Sequence, residues 1–128
     1  MILAEAIEDV RSLSRQLHTA LDWLRDSAPD SADKERQYRK AKALAWVHRT
    51  DGTATERAAL VDADTADLRY ARDLAEKLEM AAKEKIRSCR QEISLYQSLL
   101  AADREEAAFS RTGPDSYQEN SHVRRFES

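Results

Sequence analysis

The sequence predicts an all-α fold: an elongated three-helix chain with one very long C-terminal helix and coiled-coil-like seams. Three observations carry this expectation. From Thr53 to about Arg111 the chain has neither glycine nor proline, and as one continuous helix that stretch would be on the order of 85 Å long. Only two glycines and two prolines occur in 128 residues, too few for the turns of an all-β or α/β fold. Apolar residues recur at alternating steps of three and four, the spacing of a helical packing seam.

The first helix is expected over about residues 2–27. Leu3, Ala6, Val10, Leu13, Leu17, Ala20 and Leu24 form its seam, widened by Ile7 and Leu21. It should stop at Ala28-Pro29, because proline lacks the amide hydrogen of the next turn and disfavours the α region in the residue before it. Asp30 or Ser31 can cap a second helix over about 31–49, which should end at Thr50-Asp51-Gly52. Thr53 and Glu56 then fit a capping box that opens the third helix, over about 54–111. Its seam runs Val61, Leu68, Ala71, Ala75, Leu78, Ala82 and then, one step out of phase, Ile86, Cys89, Ile93, Tyr96, Leu100. A phase change of that kind reads as a stutter. Residues 1–111 are thus expected to form one helical domain, followed beyond Gly113-Pro114 by a polar, flexible tail over 112–128.

Seams this long call for partners. Leu3, Val10, Leu13, Leu17, Leu24, Leu78, Ile86 and Ile93 are the expected interface of a homo-oligomer.

Composition narrows the function. Charged residues make up 35% of the chain and hydrophobic ones 41%, which suits amphipathic helices. The formal net charge of −3 rules out an overall polycation, so any basic surface must be local. Residues 1–29 carry three basic and five acidic side chains, whereas 33–49 carry six basic and two acidic. An anionic partner would meet the second segment first. The single cysteine, Cys89, has no internal disulfide partner, and neither a signal peptide nor a long apolar run opens the chain. A soluble cytoplasmic protein is the expectation.

Two stripes bear on binding. Arg39, Lys42, Trp46 and Arg49 follow one another at steps of three, four and three, next to the apolar stripe of Tyr38, Ala41, Ala45 and His48. Cations interleaved with an indole suit single-stranded nucleic acid, whose phosphates meet the charges while unpaired bases stack on the ring. The same spacing also describes a solvated face with Trp46 packed on a neighbouring helix. Lys83, Arg87 and Arg90 form a second line beside the seam of Ile86, Cys89 and Ile93, either at the rim of an oligomer or paired with Glu79 or Glu84.

Other chemistry lacks residues. His18, His48 and His122 are too scattered for a metal site, and Asp62, Asp64 and Asp67 lack the glycine turn and terminal glutamate of a calcium loop. No phosphate-binding glycine loop and no Ser/His/Asp or Cys/His set occurs, so neither an enzyme nor a cofactor is expected.

Val61-Asp62-Ala63-Asp64, followed by Ile86-Arg87-Ser88-Cys89-Arg90-Gln91-Glu92-Ile93, resembles the C-terminal half of phage recombination mediators of the UvsY type. The helix from Tyr38 to Arg49 falls where that family places a basic helix and turn that contact DNA. With Gln97-Ser98 and the run from Ala107 to Pro114, the chain is also similar to small helical proteins of actinobacterial phages. The resemblance covers about residues 34–111. Where the family's turn is rich in tyrosine, this chain reads Trp46-Val47-His48-Arg49-Thr50-Asp51-Gly52. The resemblance implies a ring-like homo-oligomer in the host cytoplasm that binds single-stranded DNA and helps a recombinase displace single-strand-binding protein. The competing expectation is a phage-encoded protein-interaction module, either an inhibitor of a host protein or a coiled-coil scaffold.

Overall fold

A computed structural model describes the backbone of residues 3–127 and the side chains of residues 3–110. The chain is all-α. Three helices follow in order: α1 (Leu3–His48), α2 (Ala54–Asp64) and α3 (Ala66–Glu127). No helix among the described residues is long and apolar enough to cross a membrane.

Helix boundaries depart from expectation at three points. The first is Pro29, which lies inside α1 instead of ending it. A proline there removes one ladder hydrogen bond and crowds the preceding turn, at a cost of about 3 kcal/mol. The helix nonetheless continues on both sides of the proline, where Leu24, Ser27 and Ser31 are half-buried and Ser27 and Ser31 line an open cleft shared with Leu74, Ala75 and Leu78 of α3. Asp30 therefore caps nothing and pairs instead with Lys34 one turn on, at 2.8 Å.

The second point is Thr65, which divides the expected long helix into α2 and α3. Its backbone leaves the helical range at φ −110°, ψ 8°. The Val61 carbonyl accepts twice from this one residue, from the Thr65 amide at 3.1 Å and from its Oγ1 at 2.8 Å. A hydroxyl bonded back to the carbonyl four residues earlier bends helices. Val61 and Thr65 are also among the most buried side chains, 1% and 2% exposed, so packing holds the bend in place.

The third point is Gly113-Pro114, where a stop is expected and through which α3 continues to Glu127. The expectation of a flexible tail from residue 112 falls on residues whose side chains lie outside the described ones.

The turn before α2 follows the sequence closely. Gly52 takes φ +93°, and a Cβ there would meet Glu56 Oε2 at 2.6 Å. The capping box is complete: Glu56 N–H donates to Thr53 Oγ1 at 3.2 Å, and Thr53 N–H donates to Glu56 Oε2 at 3.3 Å.

The chain divides into two compact units. One joins residues 1–14 to residues 89–128. Its interior is narrow: Ala6, Leu13 and Cys89 are buried, while Val10, Ile93, Tyr96 and Leu100 are half-buried. Tyr96 Oη donates to Asp9 Oδ2 at 2.8 Å across this pair.

The other unit is residues 15–88. Here α1 runs antiparallel to α2 and α3, as three sets of contacts with opposite sequence sense require: Arg49 with Asp64, Tyr38 with Arg72, and Trp23 lining a cleft with Leu78. Tyr38, Ala45, Val61 and Ile86 are its buried apolar residues.

The expected interface residues divide accordingly. Leu13 and Ile86 are buried within the chain's own packing, and Val10, Leu17, Leu24 and Ile93 are half-buried there. Leu3 and Leu78 remain 60% and 48% exposed.

Candidate nucleic-acid interface

The basic segment of α1 ends against α2, and that junction fixes the geometry of the first predicted stripe. The last carbonyls of a helix have no intrahelical donors. Arg57, one turn into α2, supplies them: its Nε donates to the Arg49 carbonyl and its Nη2 donates to the Trp46 carbonyl at 3.1 Å. The same guanidinium lies 5.2 Å from the centre of the Trp46 ring. Trp46 is half-buried and already carries a cation from its own chain.

Arg49 is engaged as well. It forms a bidentate pair with Asp64, Nη2 to Oδ1 at 2.8 Å and Nε to Oδ2 at 2.9 Å. These hydrogen bonds hold the Asp64 carboxyl below the usual carboxylate range and raise Arg49 in turn. Fork-to-carboxylate geometry of this kind adds direction to charge attraction, so Arg49 and Asp64 act as a clasp between the end of α1 and the end of α2.

Earlier on α1, Arg39 reaches Glu35 at 2.7 Å while its side chain stays 77% exposed. The second oxygen of Glu35 lies 3.7 Å from Arg72 of α3. Arg72 in turn lies 4.3 Å from the centre of the buried Tyr38 ring and pairs with Asp73 at 2.8 Å. The hydrogen bond to Asp73 raises the Arg72 pKa, and the charges of Asp73, Glu35 and Glu76 add to it while desolvation opposes. Lys42 is exposed, its Nζ 5.8 Å from the centre of the same Tyr38 ring. Tyr38 is thus the aromatic centre of two cation contacts, one from each helix.

Of the first stripe, Arg39 and Lys42 are exposed to solvent, whereas Trp46 and Arg49 are tied to α2. Of the second, Lys83 and Arg87 lie in the unit of residues 15–88 and Arg90 in the other. All three are exposed, and Arg87 pairs with Glu84 at 3.2 Å. Among the described residues neither Lys83 nor Arg90 enters an ion pair. An exposed pair such as Arg87–Glu84 is worth roughly 0–1 kcal/mol, so a phosphate can compete with the carboxylate for that guanidinium, whereas Glu35, the partner of Arg39, is half-buried.

Sequence spacing missed Arg57 and Arg72, which tie α2 and α3 to α1. Both act on residues in another helix, at separations no periodic rule addresses. A signal existed only for Arg57, which follows the capping box one turn into α2, just across the Gly52 turn from a helix end that needs donors. Among the described residues no group of three or more His, Cys, Asp or Glu side chains is placed to hold a metal ion. Comparison with known protein families, with curated proteins and with solved structures finds no match to this chain.

Proposed function

We propose that this chain is a non-enzymatic recombination mediator, a self-associating helical protein that binds single-stranded DNA. The observation that carries the reading is the C-terminal part of α1, where residues 33–49 hold six basic and two acidic side chains and where Arg39, Lys40 and Lys42 are exposed. The carboxylates beside them, Asp33 and Glu35, are half-buried, while the Arg36 and Arg39 side chains they hold are largely exposed, so a polyphosphate can compete for those cations. Lys83 and Arg90, exposed and without an ion pair among the described residues, each add a cation to their own unit. Self-association is supported by the imbalance between buried and exposed apolar side chains: the buried ones include Ala6, Ala45 and Cys89, all small, while residues as large as Trp23, Tyr70, Leu78 and Phe109 face solvent.

A labelled-oligonucleotide titration over a range of salt concentrations tests the DNA reading. Binding should prefer single strands and weaken steeply with salt, and Arg39→Ala with Lys42→Ala should flatten the log–log slope by roughly 0.7 for each phosphate no longer neutralised. Absence of binding at low salt overturns it.

A second reading is a pure protein-interaction module, an inhibitor or a scaffold. It is favoured by the pairing of Arg39, Arg49 and Arg87 with Glu35, Asp64 and Glu84, which gives these cations a role within the chain.

A further inference from the structure

We infer that a row on α3, Tyr70, Leu74 and Leu78, with Trp23 of α1 beside it, is the face on which a second copy of this chain seats. The inference rests on the self-association proposed above and adds the surface that performs it. All four side chains belong to the unit of residues 15–88. They are 69%, 44%, 48% and 40% exposed, respectively, so this unit presents aromatic and leucine side chains that its own packing leaves uncovered.

The geometry suits a copy of the same chain. Residues 70, 74 and 78 fall at i, i+4 and i+8, the ridge that fits between like ridges of another helix in the commonest class of helix packing. That class uses the same ridge on both helices. A two-fold contact, in which one surface meets itself, supplies two identical ridges by construction. Between Trp23 and the leucines lies an open cleft of about 70 Å³, able to receive a side chain projecting from the facing ridge.

Charge agrees with self-pairing. Asp30 and Lys34 on the α1 side and Glu79 on the α3 side line the same cleft, a rim of mixed sign. A two-fold axis can bring Lys34 of each copy toward Glu79 of the other, attractive twice, whereas a rim of one sign would repel its own copy. The Asp30 partner of Lys34 has a side chain 67% exposed and leaves that lysine able to turn outward. The row itself contains no cation to hold a phosphate, which disfavours nucleic acid as its occupant.

The test is the solution mass of the full chain, by size-exclusion chromatography with light scattering, for the wild type, Leu74→Glu and Leu74→Cys. The wild type should be at least dimeric. Leu74→Glu should fall to the mass of a single chain while keeping its helical circular dichroism, and Leu74→Cys, at the middle of the row where a two-fold axis brings a residue against its own copy, should form a disulfide-linked dimer on mild oxidation while the wild type, whose Cys89 is buried, does not. An oligomeric wild type whose mass is unchanged by Leu74→Glu overturns this face and leaves self-association standing. A wild type that is a single chain overturns both. Should Leu74→Glu fail to fold, the cross-link decides, and its absence in an oligomeric protein overturns the face. Loss of oligonucleotide binding in Leu74→Glu with no change in mass also overturns it, since the row would then serve nucleic acid.

Discussion

The junction of α1 with α2 and the unit that joins the two chain ends are held together by different chemistry. At the junction, polar groups close over short sequence separations: Arg57 on the carbonyls of Arg49 and Trp46, Arg49 on Asp64, and the Thr65 hydroxyl on Val61. In the other unit, segments far apart in sequence meet through small apolar residues, Ala6 and Cys89 among them, and the Tyr96–Asp9 hydrogen bond spans 87 positions. The contrast teaches where rigidity comes from. Directed hydrogen bonds to helix-end carbonyls fix a geometry and use up the side chains that make them, including the ring of Trp46. A seam of small residues sets proximity and leaves neighbouring large ones, such as Leu3, Leu95 and Leu99, in solvent.

Burying a charge gives the largest effects and tests whether the two regions differ in cooperativity. Val61→Asp places a carboxylate at a site 1% exposed, where an unpaired charge costs several kcal/mol. It should melt the protein globally in thermal unfolding. Ala6→Asp, at a site 0% exposed, should instead remove hydrogen-exchange protection from residues 3–14 and 89–110 while amides near Val61 stay protected. Equal loss of protection everywhere would erase the distinction between the two regions.

Next in size is the cap. Arg57→Ala removes two hydrogen bonds to carbonyls and the cation from the Trp46 ring, and is expected to cost about 2–3 kcal/mol in denaturant unfolding. Trp46→Ala should lower the melting temperature in the same way. If Trp46 instead stacks DNA bases, its loss will weaken binding of a single-stranded oligonucleotide per folded molecule, and the junction will have a second role.

The regions should also respond at opposite ends of the pH scale. Asp64 titrates below its unfolded value of about 3.9, so the Arg49 clasp contributes above that pH and is lost as pH falls through the folded-state value. Asp33, lowered by hydrogen bonds from Arg36 and Gln37, behaves alike, so Asp64→Asn should remove only part of the acid-side dependence of the melting temperature. Tyr96 is shifted the other way, chiefly by its hydrogen bond to Asp9, then by desolvation and by the charges of Asp9 and Glu92. Its contribution is present below the unfolded value of about 10 and is lost as pH rises through the folded-state value. Tyr96→Phe should therefore flatten the alkaline limb and leave the acid limb alone.

The smallest effect is expected at Arg87, whose partner Glu84 is one turn away on the same exposed surface. Arg87→Gln should change stability by no more than about 0.5 kcal/mol. Any larger loss would mean that Arg87 belongs to an interface.

By itself the sequence determined the all-α class, the face of each helix that turns inward and the turn at Gly52 with its Thr53–Glu56 cap. Those features rest on local spacing and local backbone chemistry: apolar periodicity, the left-handed tolerance of glycine, and a side chain that reaches an amide three residues away. Tertiary structure decided the rest. Pro29 reads as a stop because its cost is local and visible, whereas the neighbours that Ser27, Ser31 and Lys34 meet along the cleft shared with α3 are residues some forty or more positions away. Thr65 is silent in sequence, since a threonine hydroxyl bends a helix only where burial holds the bend. The stripe of Arg39, Lys42, Trp46 and Arg49 lies on one helix as its spacing requires, yet α2 engages the last two of its members and leaves the first two to solvent. A period of three and four residues specifies which side chains share a face, and the partner helix alone determines which of them remain exposed.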